Sequence, residues 1–372
     1  MKTVFQNTTA ARHPLFLTLL ASLWLVTLPN IPLWRQLAQL PEVSGLRGLL
    51  FGLGMALGIA ALTHALLSLL NWRWLLKPVL TLFLMSAASG AYFMWSYGIV
   101  IDATMIVNVA QTDPREAADL LNWRMLVALG LLGALPAWVI WQVPQKPLGA
   151  MQRLLANGIS VFLSLLLMLA SLLAIYQDFA SVMRNHTQIR YLINPLNSFY
   201  ALGRVAAQPL QRDNKTLLPL AEDAQLVLPA GQSPATIVLV LGETARMGNF
   251  GINGYERDTT PRLAQASVVS FRNVLSCGTS TAASVPCMFS HLGRDGYDKR
   301  PANYESVLDV LQRAGLAVLW IDNQSGCKGI CDRVANASTS KLKLSPYCDG
   351  GECHDEVMLH ELSSRLAGRQ GV

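Results

Sequence analysis

The chain has 372 residues, 52% of them hydrophobic and only 14% charged, with a formal net charge of +6 at pH 7. Soluble domains carry about 25% charged residues, so a wholly water-soluble globule is excluded and much of the chain must face lipid. The positive balance comes without a dense Lys/Arg run, zinc-finger spacing or interleaved aromatic and basic residues, which excludes a nucleic-acid partner. Attraction to an anionic membrane surface explains it better.

Five apolar runs have the length of about 20 residues that a membrane helix needs: 14–34, 48–70, 78–101, 125–143 and 154–176. None contains a formal charge, although His64 lies in the second. The first is too long for a signal peptide and lacks a small-residue cleavage site. An odd number of spans puts the two ends of this region on opposite sides. Lys2, Arg12, Arg73, Lys77, Lys146 and Arg153 fall in one set of loops, and Arg35, Arg47, Arg115 and Arg124 in the other. The positive-inside rule then turns the carboxyl-terminal part outward.

Residues 178–211 mix Arg184, Arg190 and Arg204 with Phe179, Tyr191, Ile193, Phe199 and Tyr200. An interfacial helix pair and an ordinary linker fit that composition equally well. Residues 213–234 are polar and proline-punctuated, a plausible entry to a second domain. Residues 237–241, Ile-Val-Leu-Val-Leu, read as a strand buried on both faces. Glu243 follows at once, where open α/β sheets hold their ligands. Residues 268–274 alternate like a strand, 304–314 read as a helix and 317–321 as a second buried strand ending at Asp322-Asn323. Residues 357–366 read as a helix.

All six cysteines lie between Cys277 and Cys353, in pairs separated by nine, three and four residues. That closeness favours local disulfides over a metal cluster, because the gaps do not repeat as paired CxxC knuckles. Disulfides imply an oxidising compartment. Residues 276–287 form a hydroxyl-rich turn bracketed by two of these cysteines. A carboxylate at a strand end and a pinned hydroxyl cluster are what a metal-activated nucleophile needs. From the residues alone, Thr279, Ser280, Thr281 and Ser284 compete for that role.

Five stretches in order carry a resemblance: Gly242-Glu243-Thr244-Ala245-Arg246, Asn253-Gly254-Tyr255-Glu256-Arg257-Asp258, Cys277-Gly278-Thr279-Ser280-Thr281, Ser284-Val285-Pro286-Cys287-Met288-Phe289-Ser290 and Asp322-Asn323. Behind a multi-span region, this set resembles the phosphoethanolamine transferases that modify lipopolysaccharide, the family of the mobile colistin-resistance enzymes. The resemblance implies a five-helix transmembrane α-helical domain over 1–177 and interfacial helices and a linker over 178–234. It also implies the amino-terminal part of an α/β, alkaline-phosphatase-like or sulfatase-like domain over 235–372. The protein would be multi-pass in the bacterial inner membrane, with the carboxyl-terminal domain in the periplasm.

The same resemblance implies the disulfides Cys277–Cys287, Cys327–Cys331 and Cys348–Cys353. Thr281 matches the catalytic threonine, and Glu243 and Thr281 match zinc ligands. Asn108, Thr112 and Glu116 match substrate-cavity positions and share one face if helical. Ser325 and Lys328 match a headgroup-binding pair. Read alone, these are ordinary features: a helix-terminal carboxylate, a solvated loop helix and a surface lysine. The Asp-His pair and further histidines that complete the family's zinc site are not in this sequence. His360-Glu361 is followed by Ser364, so HExxH fails. The chain therefore resembles only the amino-terminal portion of the family.

The implied reaction moves phosphoethanolamine from phosphatidylethanolamine to a lipid A phosphate through a covalent phospho-threonine. That would lower outer-membrane negative charge and weaken attraction to polymyxins such as colistin. Residues 326–333 look most like the lipid A branch; Kdo or heptose of the core are the alternative acceptors. A phosphatase, sulfatase-like hydrolase or glycerophosphate transferase would share the metal-bound threonine. An inactive, truncated membrane anchor that only binds lipid is the reading from a different class.

Overall fold

The computed structural model describes residues 11–112, 118, 120–211, 217–232, 235–242, 244–324, 326–339, 342, 346–349 and 352–366. It divides into two compact units, Met1–Val109 with Pro114–Ala207, and Ala110–Asp113 with Gln208–Val372.

The first unit is helical. Helices α1 (Pro14–Val26) and α2 (Ile31–Ala38) form one broken span, followed by α3 (Gly45–Leu69) and α4 (Leu76–Tyr97). A short α5 (Ala103–Gln111) precedes α6 (Trp123–Gln142) and α7 (Ala150–Ala174). Five helices are thus long and apolar enough to cross a membrane, where the five apolar runs put them. Residues 178–211 are helical too, in α8 (Tyr176–Asn185), a 3-10 turn at Thr187–Leu192 and α9 (Leu196–Gln211). Val182 and Ile189 are fully buried against Val26, Leu33, Phe51 and Met55, which is why this stretch is not a loose linker.

Proline breaks two spans, and tryptophan and asparagine side chains take up the carbonyls it frees. Pro29 has no N–H for the carbonyl of Leu25; Asn30 Nδ2 donates to that oxygen at 2.7 Å. Trp34 Nε1 donates to Val26 O at 2.8 Å. Pro136 likewise frees Leu132 O, which accepts from Trp24 Nε1 at 3.0 Å, and the turn before it widens to a π-helix over Leu129–Ala134. Lipid offers no hydrogen bonds, so such repairs are obligatory inside a span.

Asn194 extends this pattern. Its backbone N–H donates to Asn30 Oδ1 at 2.9 Å, and its Nδ2 to Pro29 O at 3.1 Å and Ala87 O at 2.6 Å. A Cβ on Gly90 would lie 2.5 Å from Asn194 Oδ1, so only glycine leaves room for it. Asn194→Ala should remove two buried hydrogen bonds, to Pro29 O and Ala87 O, and lower stability by about 1–3 kcal/mol. A thermal unfolding midpoint unchanged in detergent would contradict this role.

Helices α3 and α7 meet along a polar seam. Ser68 Oγ and Ser160 Oγ are 3.0 Å apart, His64 Nε2 is 3.1 Å from Ser160 Oγ, and Asn71 Nδ2 donates to Asn157 Oδ1 at 3.0 Å. Gly58 lets Ser171 Oγ approach, since a Cβ there would sit 3.1 Å away. Small and hydrogen-bonding residues inside with Phe162, Leu163, Leu166 and Leu169 outside is how helices associate in lipid.

The second unit holds β1 (Leu217–Leu218) and β2 (Asn303–Tyr304), paired in parallel, and β3 (Leu319–Asp322) and β4 (Ala335–Ser338), also parallel. An antiparallel pair, β5 (Cys348–Asp349) and β6 (Glu352–Cys353), closes on a disulfide. Its helices are α10 (Pro261–Gln265), α11 (Thr281–Met288), α12 (Gly293–Lys299), α13 (Val307–Arg313) and α14 (Leu362–Leu366). The core gathers Val285 of α11 and Phe289 just after it, Leu308 of α13, and Cys327, Ile330, Cys331 and Val334 of one turn.

Three expectations need correcting here. Residues 237–241 form no strand, and Ile237, Val238, Leu239 and Val240 are 70–88% exposed; only Leu241 reaches the core. Residues 268–274 are also unpaired, with Val269, Phe271 and Val274 exposed. An apolar run becomes a buried strand only when neighbours pair with both edges, and among the described residues none does. Residues 357–366 do not form one helix. A 3-10 turn over Asp355–Leu359 stops at His360, and Glu361, at φ 56°, precedes α14.

Candidate active site

Thr281 opens α11. Ser280, 9% exposed, is the N-cap, and its Oγ accepts from Ala283 N at 3.3 Å. The helix runs from Thr281 to Met288, so Ser284 lies within it. The signal was present: a serine before a short apolar run is an N-cap pattern. Two restraints hold the preceding turn. Ser276 Oγ donates to Gly278 O at 2.6 Å, and the Cys277–Cys287 disulfide ties the turn to the far end of the helix. A Cβ on Gly278 would lie 2.8 Å from that of Ala283, so glycine lets the turn close on α11. Thr281 thus sits where first-turn N–H groups concentrate partial positive charge.

The turn that carries Lys328 shares the same core. Cys327 and Cys331 are bonded, and both lie with Val285 in the buried cluster. Lys328 is half-buried, with φ at 52°. Asp322, ending β3, accepts from Gly326 N at 3.1 Å and from Thr339 N at 2.7 Å, through side chain and carbonyl respectively. Asn323 Nδ2 donates to Cys353 O and Asp355 Oδ1, both at 2.9 Å, which ties this strand end to the third disulfide.

The remaining candidates are placed less fully. Glu243, Ser325 and Glu116 lie outside the described residues. Leu241 packs on the core that holds α11. Thr244 follows with φ at 51°, a left-handed conformation rare for a β-branched residue and typical of functional turns. Asn108 lies on α5, which Asp102 caps by accepting from Met105 N at 2.8 Å. That helix ends at Gln111, so Thr112 falls just beyond it. The shared helical face expected for Asn108, Thr112 and Glu116 is therefore not formed by α5 alone.

Sequence reasoning missed the bracing behind Thr281. Asp309 on α13 accepts from Ser306 N at 2.7 Å and receives Arg333 at 2.6 and 2.7 Å, a two-pronged ion pair. Burial would raise the Asp309 carboxyl, but Arg333 and Ser306 outweigh it and hold it below its ordinary range. Beside it, Arg313 and the Leu220 N–H hold Glu305 low as well. Only the Ser306-x-x-Asp309 spacing, a capping-box pattern, hinted at this.

Zinc requires four ligands. Thr281 and Glu243 are oxygen donors suited to two of them, but the described residues do not assemble a full set. Their one close group of metal-capable residues is Cys327, Cys331 and Asp332, and its two sulfurs are tied up in a disulfide.

The family model for phosphoethanolamine transferase EptA/EptB matches residues 59–210, and the sulfatase model matches 235–371. Phosphatidylethanolamine transferase Mcr-1 of Escherichia coli is 38% identical, over 96% of this chain and 68% of its own length. The chain belongs to the phosphoethanolamine transferase family. EptA of Escherichia coli K12 is also 38% identical, over 95% of this chain. The chain spans 65% of that relative's length. The solved structure of EptA from Neisseria meningitidis, an integral membrane protein, superposes with a TM-score of 0.88 at 33% identity, covering 94% of this chain and 66% of that one. This phosphoethanolamine transferase family member is accordingly a multi-pass membrane protein carrying a sulfatase-like α/β domain.

Proposed function

We propose that the protein transfers phosphoethanolamine from phosphatidylethanolamine to a phosphate of lipid A, with Thr281 as the nucleophile. The carrying observation is Thr281 at the head of α11, in a turn clamped by Cys277–Cys287 and capped by Ser280. The Thr281 oxygen attacks phosphorus, the bond to the diacylglycerol oxygen breaks, and that oxygen leaves with a proton. A lipid A phosphate oxygen then attacks the phospho-threonine and frees Thr281. The first-turn N–H groups of α11 favour the anionic phosphoryl oxygens. Lys328 and Ser325 hold the headgroup; Asn108, Thr112 and Glu116 line the path of the lipid. A zinc ion with Glu243 and Thr281 among its ligands would supply acidity to the hydroxyl and offset phosphate charge.

Donor and acceptor are both lipids, so anchoring the catalytic domain at the bilayer of the bacterial inner membrane, on the periplasmic side, supplies proximity. The added ammonium offsets lipid A charge and weakens binding of polymyxins such as colistin. Membranes holding the protein, given phosphatidylethanolamine labelled in the headgroup, should place label on lipid A. Label found on Kdo or heptose would replace the acceptor, and label released as free phosphoethanolamine would replace transfer by hydrolysis.

A further inference from the structure

The carboxyl-terminal end of α4 and the amino-terminal end of α6 enclose a cavity of about 380 Å³ that no part of the proposed reaction uses, lined by Tyr92, Ser96, Tyr97, Asn122, Trp123 and Arg124. The two walls are joined by a hydrogen bond, Asn122 Nδ2 to Tyr92 OH at 2.7 Å. Asn122 also caps α6, accepting from Met125 N at 3.1 Å, which holds Trp123 and Arg124 at the rim. The rings of Tyr92 and Tyr97 meet edge-on with centroids 6.1 Å apart. The Arg124 guanidinium lies over Trp123, 5.7 Å from the ring centroid. Among the described residues no carboxylate pairs with Arg124.

Tyrosine and tryptophan often girdle a membrane helix where lipid meets water. A girdle alone explains neither a hollow nor a hydrogen-bonded pair bridging its walls. Three aromatic rings, three hydroxyls and one guanidinium make a combined recognition surface. A guanidinium binds a phosphate through charge-assisted hydrogen bonds, and ring faces attract an ammonium. Tyr97 ends one span and Trp123 begins the next, so the hollow opens at headgroup depth. We infer that this cavity is a docking site for the headgroup of a zwitterionic phospholipid, phosphate on Arg124 and ammonium among Tyr92, Tyr97 and Trp123. Identifying that lipid with the transfer donor rests on the proposed function; the site itself does not.

The test uses the whole chain in detergent, with retained lipid counted by native mass spectrometry after exposure to phosphatidylethanolamine, phosphatidylglycerol or soluble phosphoethanolamine. Phosphatidylethanolamine should be retained over phosphatidylglycerol, and Arg124→Ala and Tyr97→Leu should each reduce its retention about tenfold, the loss of one charge-assisted or cation–π contact. Arg124→Lys should keep most of it. Equal retention of both lipids, unchanged retention in the variants, or capture of soluble phosphoethanolamine without lipid would overturn the site. Thr281→Ala should leave retention intact. Retained binding with no transfer by the unaltered protein would thus sink the transferase reading and spare this one.

Discussion

Thr281→Ala should reduce phosphoethanolamine transfer by about a thousandfold or more, the scale seen when a nucleophile is removed. It should also abolish the covalent adduct on the protein, detected by intact mass after incubation with phosphatidylethanolamine. The neighbouring hydroxyls are poorly placed to substitute. Ser280 Oγ is buried and engaged with Ala283 N, and Ser284 lies about one helical turn further along. The fold should survive, because the cap comes from Ser280 and the clamp from Cys277–Cys287, neither of which involves the Thr281 side chain. Thr281→Ser keeps the oxygen at the same backbone position and should retain activity within about tenfold. An adduct of full occupancy on the alanine variant would remove Thr281 from the mechanism.

Asp309→Ala should destabilise the second unit by about 1–3 kcal/mol, the scale of removing a buried carboxylate that holds a helix cap and a partly exposed guanidinium. Asp309 is 7% exposed and does two jobs: it caps α13 through Ser306 and receives both prongs of Arg333. Arg333 leaves the turn that contains Cys327, Cys331 and Lys328, so the pair fastens α13 to that turn. Truncation takes the partner from the guanidinium and frees the cap together. Hydrogen exchange of the Val307–Arg313 amides should report the loss directly. Replacing both partners with apolar residues, Asp309→Leu with Arg333→Met, should recover most of it; failure to recover would assign the stability to the cap alone.

The same groups set an acid limit. Asp309 and Glu305 are both held below their ordinary carboxyl values in the fold. A depressed carboxyl stabilises the fold above its unfolded value, and that stabilisation fades as pH falls through the folded value. Unit two should therefore loosen below about pH 4, the ordinary carboxyl range, while Asp309→Asn should flatten that dependence.

Much of this protein was legible residue by residue. Apolar runs of about 20 residues found the five spans because the length and composition of a span are local properties. The three cysteine pairs stood close in sequence, and the structure joins each pair through a disulfide. Ser280 before Thr281 and Ser306 before Asp309 are capping patterns of the same local kind, but only the structure identified them as caps. Residues 237–241 and 268–274 show the opposite case. Their composition is that of strands, yet burial depends on partners from elsewhere in a sheet, which periodicity does not contain.

The sequence by itself determined how many helices can cross the membrane, which cysteines were close enough to pair, and that a pinned hydroxyl turn follows a strand-like run. Tertiary structure alone decided that Trp24 and Asn30 take up the carbonyls freed by Pro136 and Pro29. It also decided that Arg333 reaches Asp309 from 24 residues away, and that Tyr92 and Asn122 close a hollow. A hydrogen-bonding group taken out of water must find a partner wherever the chain brings one, and that choice is made in space, among residues far apart in the sequence.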